Sequence, residues 1–121
     1  PVCSPFISVD SHQDAIDYYC GGFDSVTSIQ TVKNHLWRDT QPLNYDLDKV
    51  PNSQDLPDIF KLTYGITIVD RDVMRHKKRV VGDHPGFTEL DEIESIDIDT
   101  EFDWMIAESI WKKYQWDWKN G

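Results

Sequence analysis

Residues 24–32 have the sequence DSVTSIQTV, and this stretch decides the type of fold that the chain can form. β-Branched residues dominate it, and Val26, Ser28 and Gln30 share one face, so the alternation predicts a strand. A second run, GITIV at 65–69, is almost continuously apolar. Such a run is typical of a strand that is covered on both faces of a sheet.

Helical segments are expected on both sides of these strands. Residues 11–19 predict a helix with Ser11 as its N-cap, which the two glycines at 21–22 end. A short helix is expected over 56–62, and a helix or turn is expected over 71–76. Helices and strands that alternate along the chain predict an α/β fold with parallel pairing.

The C-terminal part is expected to contain a loop, a strand and a helix. The loop is GDHPG at 82–86, and residues 93–98 extend a strand. Thr100 then caps a final helix to about Tyr114, with Asp103 in the third position of a capping box. The side chains expected to face inward are Phe102, Ile106, Ala107 and Ile110. Beyond this helix, Trp116 and Trp118 need a surface to pack on.

Composition excludes several classes of protein. The 121 residues suit one domain, and 12 basic against 22 acidic side chains disfavour nucleic acid or an anionic membrane as a partner. No apolar run is long enough for a membrane helix. Two cysteines cannot form a disulfide scaffold, and they suit the reducing cytoplasm. Neither common glycine-rich nucleotide motif is present, and the strand that normally opens an α/β domain is missing, so we expect an upstream portion to be absent.

Asp97 and Asp99 are the strongest candidates for chemistry. In an extended segment, residues two apart share a face, so both carboxylates project together, opposite Ile96 and Ile98. Such a pair suits a hard cation such as Mg²⁺, which would serve a phosphate-bearing substrate. The alternative is that both are acids favoured by the dipole of the following helix.

Two further features permit two interpretations each. Gln54 and Asp55 precede a short element, where they could face a ligand or where Asp55 could cap a helix. Residues 71–79 hold five of the 12 basic side chains, which could bind phosphate or a sugar carboxylate. Alternatively, they form a solvated face that offsets the acidic C-terminal part.

Four stretches, in order, resemble motifs of the acylneuraminate cytidylyltransferases. The most specific is ESIDIDTEFD at 94–103, which continues into MIAE at 105–108 and is similar to the C-terminal signature of the family. CSPF at 3–6 resembles its Thr-Ser-Pro turn, and DSVTSI at 24–29 resembles its Asp-Ser-Val strand. The fourth stretch is QDLP at 54–57 with YGITI at 64–68.

This resemblance implies a fold, an activity and a set of site residues. The fold is a Rossmann-like, three-layer fold of the nucleotide-diphospho-sugar transferase type, of which residues 1–121 would be a C-terminal half. The activity is the transfer of CMP from CTP to a nonulosonic acid of the sialic type. Asp97 and Asp99 would be catalytic and hold Mg²⁺, and Ser4, Gln54 and Tyr64 would bind substrate. Residues 33–53 would be a dimerisation insert carrying Trp37 and Tyr45, and the protein would be a homodimer.

Two departures from the family pattern accompany the resemblance. The basic, glycine-containing arm that holds CTP has no counterpart in these residues, so we expect the chain by itself to be inactive. The family's Asn before the glycine is Tyr64 here, which bears on the identity of the sugar. The alternatives are a small acidic binding or inhibitor protein that covers a basic partner, or a non-catalytic dimerisation domain.

Overall fold

The computed structural model describes residues 3–114, which fall into two compact units. One unit comprises the residues up to Gln30 together with those from Leu62 onward, and the other comprises Thr31–Lys61. The described residues form a mixed α/β structure. Its helices are α1 (Val9–Cys20), α2 (Arg71–Lys77) and α3 (Glu101–Tyr114). Its strands are β1 (Ser25–Val32), β2 (Trp37–Arg38), β3 (Gln41–Pro42), β4 (Ile59–Val69) and β5 (Pro85–Glu89).

The main sheet has the strand order β4-β1-β5, with β1 at its centre. β1 is the strand predicted at 24–32, and it pairs in parallel with β5, from Ser25 opposite Pro85 to Ile29 opposite Glu89. The predicted loop at 82–86 is therefore wrong at its end. The Asp24 amide donates a hydrogen bond to the carbonyl of His84, just before the two strands pair. Because this parallel pairing continues at Pro85, the strand begins there and not after the predicted loop.

β4 runs antiparallel to β1, so the sheet is mixed and the predicted parallel pairing applies to β1 and β5 alone among the described strands. The Asp70 amide donates to the Asp24 carbonyl at 2.9 Å, and the Ile66 amide donates to Ser28 Oγ at 2.9 Å. The helix predicted over 56–62 is wrong. A 3₁₀ turn occupies Ser53–Asp55, and β4 already begins at Ile59.

The core of the first unit lies between α1 and the sheet. Its buried members are Ala15, Val26, Ile66 and Leu90, with Ile7, Tyr19, Phe23 and Ile68 packed around them. Residues 25–29 of β1 are all buried, so the central strand is covered on both faces. Gly65 permits the close approach of Ile7, because a Cβ there would lie 2.6 Å from the Ile7 Cδ1.

The ends of the helices confirm some predictions and correct others. Ser8, not Ser11, is the N-cap of α1, since its Oγ accepts from the Ser11 amide at 3.1 Å. The end of α1 at Gly21 is confirmed, as is α2. The capping box of α3 is also confirmed: the Asp103 amide donates to Thr100 Oγ1, and the Thr100 amide donates to Asp103 Oδ2.

Other predictions in the C-terminal part are wrong or lie outside the described residues. The strand expected at 93–98 is a turn followed by an extended segment, because the Ser95 and Glu94 amides both donate to Asp91. On α3, Ala107 is buried as expected, whereas Phe102 is 68% exposed. The predicted packing of Trp116 and Trp118 lies outside the described residues. Among the helices of residues 3–114, none has the length and apolarity needed to cross a membrane.

The second unit contains a short antiparallel hairpin of β2 and β3, with Trp37 opposite Pro42. Asn44 is buried within it, where its side chain accepts from the Leu36 amide and donates to the Asn34 carbonyl. The insert predicted at 33–53 falls inside this unit. Its role in dimerisation stays a prediction.

Candidate functional site

Asp97 and Asp99 lie on an extended segment that follows the carboxyl end of the parallel strand β5. Both side chains are exposed, while Ile96 and Ile98 are half-buried, as the alternation predicts. The Ile98 amide, between the two acids, donates to the Cys3 carbonyl at 2.9 Å. In α/β sheets, ligands bind outside the carboxyl ends of parallel strands. The two acids therefore lie on the part of the chain that leaves the edge of the sheet where ligands bind, after the turn at residues 92–95.

The helix that follows holds the backbone of this segment. The side chain of Asp103 accepts from the amide of Asp99 at 3.1 Å and from the amide of Thr100 at 3.0 Å. The carboxylate of Asp103 thus holds the backbone of Asp99, one of the two candidate metal ligands. Asp103 is a positioning group here, because its charge is used within the capping box of α3.

Ser4 belongs to the same neighbourhood as Asp97 and Asp99. It is half-buried in the turn at residues 3–6, and the hydrogen bond from Ile98 to Cys3 joins that turn to the acidic segment. One backbone hydrogen bond therefore joins the turn that holds Ser4 to the segment that holds Asp97 and Asp99, three of the predicted site residues. Two of them belong to the most specific of the four motifs, and the third belongs to the motif nearest the start of the chain.

Tyr64 lies in β4 in a left-handed conformation, with φ +56°, and its side chain is 57% exposed. Asn adopts this backbone conformation more readily than Tyr. The neighbouring Thr63 Oγ1 lies 2.6 Å from Ser28 Oγ, which also accepts from the Ile66 amide at 2.9 Å. The motif at 64–68 is therefore joined to the motif at 24–29. Gln54 is exposed in the 3₁₀ turn of the second unit, whereas the other predicted site residues belong to the first unit.

Glu94 is a residue that the sequence analysis missed. Its Oε2 accepts from the Ser8 amide at 3.1 Å, from Ser8 Oγ at 3.0 Å and from Ser11 Oγ at 2.6 Å. Partial burial acts to raise the pKa of Glu94, but the hydrogen bonds from Ser11 and Ser8 outweigh it and hold the pKa below its ordinary value. No local pattern could reveal this contact, because its partners are distant in sequence. Glu94 fastens the start of α1 to the turn that leads into the acidic segment.

Asp24 serves the fold at the other end of β1. Its Oδ2 accepts from the amides of Asp83 at 2.9 Å and His84 at 3.1 Å, and Ser25 Oγ donates to its Oδ1. Desolvation acts to raise the pKa of Asp24, and these hydrogen bonds together lower it below its ordinary value. The Asp-Ser pair of this motif therefore organises the loop before β5.

The basic residues at 71–79 divide into two groups. Lys77 and Arg79 both pair with Asp83, and the hydrogen bond from Lys77 is the main reason that the pKa of Asp83 is lowered. Arg71, Arg75 and Lys78 are exposed and form no ion pair within residues 3–114. Part of the cluster thus stabilises its own loop, and part faces solvent.

An apolar groove of about 230 Å³ lies beside the acidic segment. Pro5 and Phe6 from the N-terminal turn, Ile98, and the exposed rings of Trp104 and Trp111 line it. Glu108 also lines it, through the apolar part of its side chain. The groove joins the segment that carries the two acids to the exposed side of α3.

The donor set fits Mg²⁺ only if substrate completes the coordination. Within residues 3–114 no group of three or more His, Cys, Asp or Glu side chains could hold a metal ion. Mg²⁺ is commonly bound by one or two carboxylates, with water and substrate phosphates as the remaining ligands. Asp97 and Asp99 would supply two such carboxylates, which are too few for an all-protein cage.

Comparison of the chain with models of known protein families finds no match, and comparison with curated proteins also finds none.

Proposed function

We propose that this chain is part of a magnesium-dependent cytidylyltransferase that transfers CMP from CTP to a nonulosonic acid. The observation that carries the proposal is the hydrogen bond from Ile98, between Asp97 and Asp99, to Cys3 in the Ser-Pro turn. It brings the turn motif beside the acidic motif at the carboxyl end of a parallel strand. A phosphate-handling metal site of this type needs such a position.

The placement of the other motifs also supports the proposal. The motif at 24–29 forms the central strand, and the motif at 64–68 lies in the neighbouring strand, joined to it through Ser28. A buried central strand, a parallel partner and a helix packed on the sheet are compatible with a Rossmann-like three-layer fold. We propose that finer fold type on the strength of the resemblance.

The proposed mechanism assigns a task to each site residue. Asp97 and Asp99 would hold Mg²⁺, which when bound would offset charge on the phosphates of CTP. Asp103 holds the Asp99 amide, so one metal-binding carboxylate is carried on a fixed backbone. Ser4, Gln54 and Tyr64 would contact substrate, and a basic arm outside these residues would hold CTP. Positioning the sugar hydroxyl against the α-phosphate then supplies much of the rate enhancement.

The second unit supports the proposed homodimer. It carries several exposed apolar side chains. Four of them are at least half exposed: Trp37, Leu43, Leu47 and Val50. Exposed apolar side chains are a feature of interaction surfaces. We place the dimer contact on Thr31–Lys61, and we place the activity in the cytoplasm, where the exposed thiols of Cys3 and Cys20 stay reduced.

Calorimetric titration with CMP-N-acetylneuraminic acid, with and without Mg²⁺, tests the proposal. We expect binding that requires Mg²⁺, and we expect Asp99→Asn to weaken it about tenfold or more, equivalent to about 1.4 kcal/mol. Asp48→Asn is the matched control, because Asp46 and Asp48 have the same spacing in the second unit. No Mg²⁺-dependent binding by the wild type, or equal binding by Asp99→Asn, would contradict the proposal.

A second candidate is a small acidic protein that covers a basic partner. The observation in its favour is the apolar groove with exposed Trp104 and Trp111 beside Glu108, since buried aromatic anchors dominate many interfaces. A non-catalytic dimerisation domain is the third reading. Mg²⁺-dependent binding of the CMP-sugar would exclude both alternatives, because neither an acidic binding protein nor a dimerisation domain requires a site for that compound.

A further inference from the structure

Helix α2 presents a cationic face to solvent. Arg71, Met74 and Arg75 follow the spacing of one helical face, and Lys78 lies one turn further at the C-cap. All four are exposed, Met74 to 49%. Lys77 and Arg79 share the single carboxylate of Asp83, which offsets one of their two charges, so the cations without an ion pair among the described residues of this region are Arg71, Arg75 and Lys78. They form a basic surface on a chain whose net charge is −10.

Helix α3 presents a face with the opposite charge and the same spacing. Glu101, Trp104, Met105 and Glu108 recur at the positions that place them on one side of a helix. All four are exposed, Trp104 to 55% and Met105 to 61%. A solvated helix face seldom carries two large apolar side chains between two acids. Such a face is suited to an interface.

We propose that the α2 face of one copy of the chain docks on the α3 face of a second copy. Each face carries exposed apolar side chains beside charges, and the charges of the two faces are opposite in sign; the central positions on α2 are Met74 and Arg75. The outermost charged residues of each face are seven apart in sequence, about 10.5 Å along a helix axis, with Lys78 as the C-cap just past the end of α2. Arg71 and Lys78 can therefore meet Glu101 and Glu108 together, while Met74 packs on Trp104 and Met105.

The groove beside α3 gives the Met74 side chain of the other copy a place to pack. It is lined by Trp104, Trp111 and Phe6, and a flexible Met side chain fills such irregular spaces well. Glu108 already pairs with Lys112 along α3, at 3.1 Å between two exposed side chains. An exposed pair of that kind contributes little to stability. Exchange of this partner for a cation of the second copy therefore costs little.

This contact is independent of the proposed function, because neither face includes Asp97 or Asp99. It is also separate from the dimer proposed through Thr31–Lys61, since both helices belong to the first unit. If both contacts form, the chain associates beyond a dimer. If only the helix contact forms, a reciprocal arrangement closes a two-fold dimer.

Sedimentation velocity with charge-reversal variants tests the contact. The variants are Arg71→Glu/Lys78→Glu and Glu101→Lys/Glu108→Lys, with Asp10→Lys/Asp14→Lys on α1 as the control for the second. We expect the wild-type mass to rise between about 5 and about 500 µM at low salt, and each reversal alone to weaken association about tenfold or more. Because the two reversed faces are again complementary, an equimolar mixture of the two variants restores association.

Four results would overturn the inference. One is a wild-type mass that is constant over this range at low salt. Another is wild-type association by either reversed variant when circular dichroism shows that it is folded. The third is a mixture that fails to recover what the separate variants lost. Equal loss in the α1 control would also overturn it, since net charge alone would then explain the effect.

Discussion

The backbone amide of Ile98 donates a 2.9 Å hydrogen bond to the carbonyl oxygen of Cys3, near opposite ends of the described chain. Ile98 is the half-buried residue between two exposed acids. The bond fixes the segment so that its apolar side meets the N-terminal turn and its carboxylates face solvent. A site built in this way depends on both ends of the chain being folded.

Glu94→Gln should destabilise the protein by about 1–2 kcal/mol at pH 7, because three hydrogen bonds to a charged acceptor become weaker ones. Denaturant unfolding followed by circular dichroism measures the change. Glu92→Gln is the control, since Glu92 is an exposed neighbour whose replacement should change stability by less than about 0.5 kcal/mol. Equal stability of the two variants would contradict the role given to Glu94.

The same variant should show a smaller loss of stability in acid than the wild type. The pKa of Glu94 is lowered from 4.5 in the folded protein, so its contribution is complete above that value. The contribution disappears as the pH falls through the folded pKa. The difference in unfolding free energy between wild type and Glu94→Gln should therefore shrink below about pH 4.5. A difference that is constant from pH 7 to about pH 3 would refute this assignment.

Gly82→Ala should destabilise the protein by about 1–3 kcal/mol through overpacking. A Cβ at this position would lie too close to the carboxylate of Asp24, which organises the loop before β5. In the background of Asp24→Ala the same substitution should cost less than half as much, because the clashing atoms are gone. Chemical unfolding of the four proteins gives the coupling directly, and additive effects would show that the contact is not the cause.

Tyr64→Asn should raise stability by about 0.5–1 kcal/mol, because Asn adopts the left-handed conformation at less cost than Tyr. Tyr64→Ala is the comparison, since Ala removes the exposed ring and keeps the unfavourable φ. Thermal unfolding should therefore place Asn above Ala. Asn and Ala variants that both melt below the wild type, with no difference between them, would mean that the Tyr64 ring, and not its backbone, determines stability there.

The elements that the sequence predicts well are those with strong local signals. The alternation at 24–32, the glycines after α1 and the Thr100–Asp103 capping box all act through neighbouring residues, and each is found in the structure. The errors occur where contacts with residues distant in sequence determine which element forms. Residues 59–62 join β4 rather than a helix, because a short apolar run fits either element until its partner strand is known.

The candidate site shows the same division. The exposure of Asp97 and Asp99 follows from alternation, and the structure agrees. The strand expected around them gives way to a turn because Asp91 accepts from the amides of Glu94 and Ser95. Glu94 itself was missed, since its partners Ser8 and Ser11 come close only when α1 has packed. Side chains that join distant segments leave no spacing pattern to find.

The central claim is that Asp97 and Asp99 form a divalent-cation site, and nuclear magnetic resonance with Mn²⁺ as a paramagnetic substitute for Mg²⁺ tests it most directly. We predict that substoichiometric Mn²⁺ selectively broadens the amide signals of residues 96–100 and that Mg²⁺ reverses the effect. Asp97→Asn/Asp99→Asn should abolish this broadening, and Asp46→Asn/Asp48→Asn should leave it unchanged. Broadening that persists in the Asp97/Asp99 variant, or that is no stronger at 96–100 than at other exposed acids, would contradict the claim.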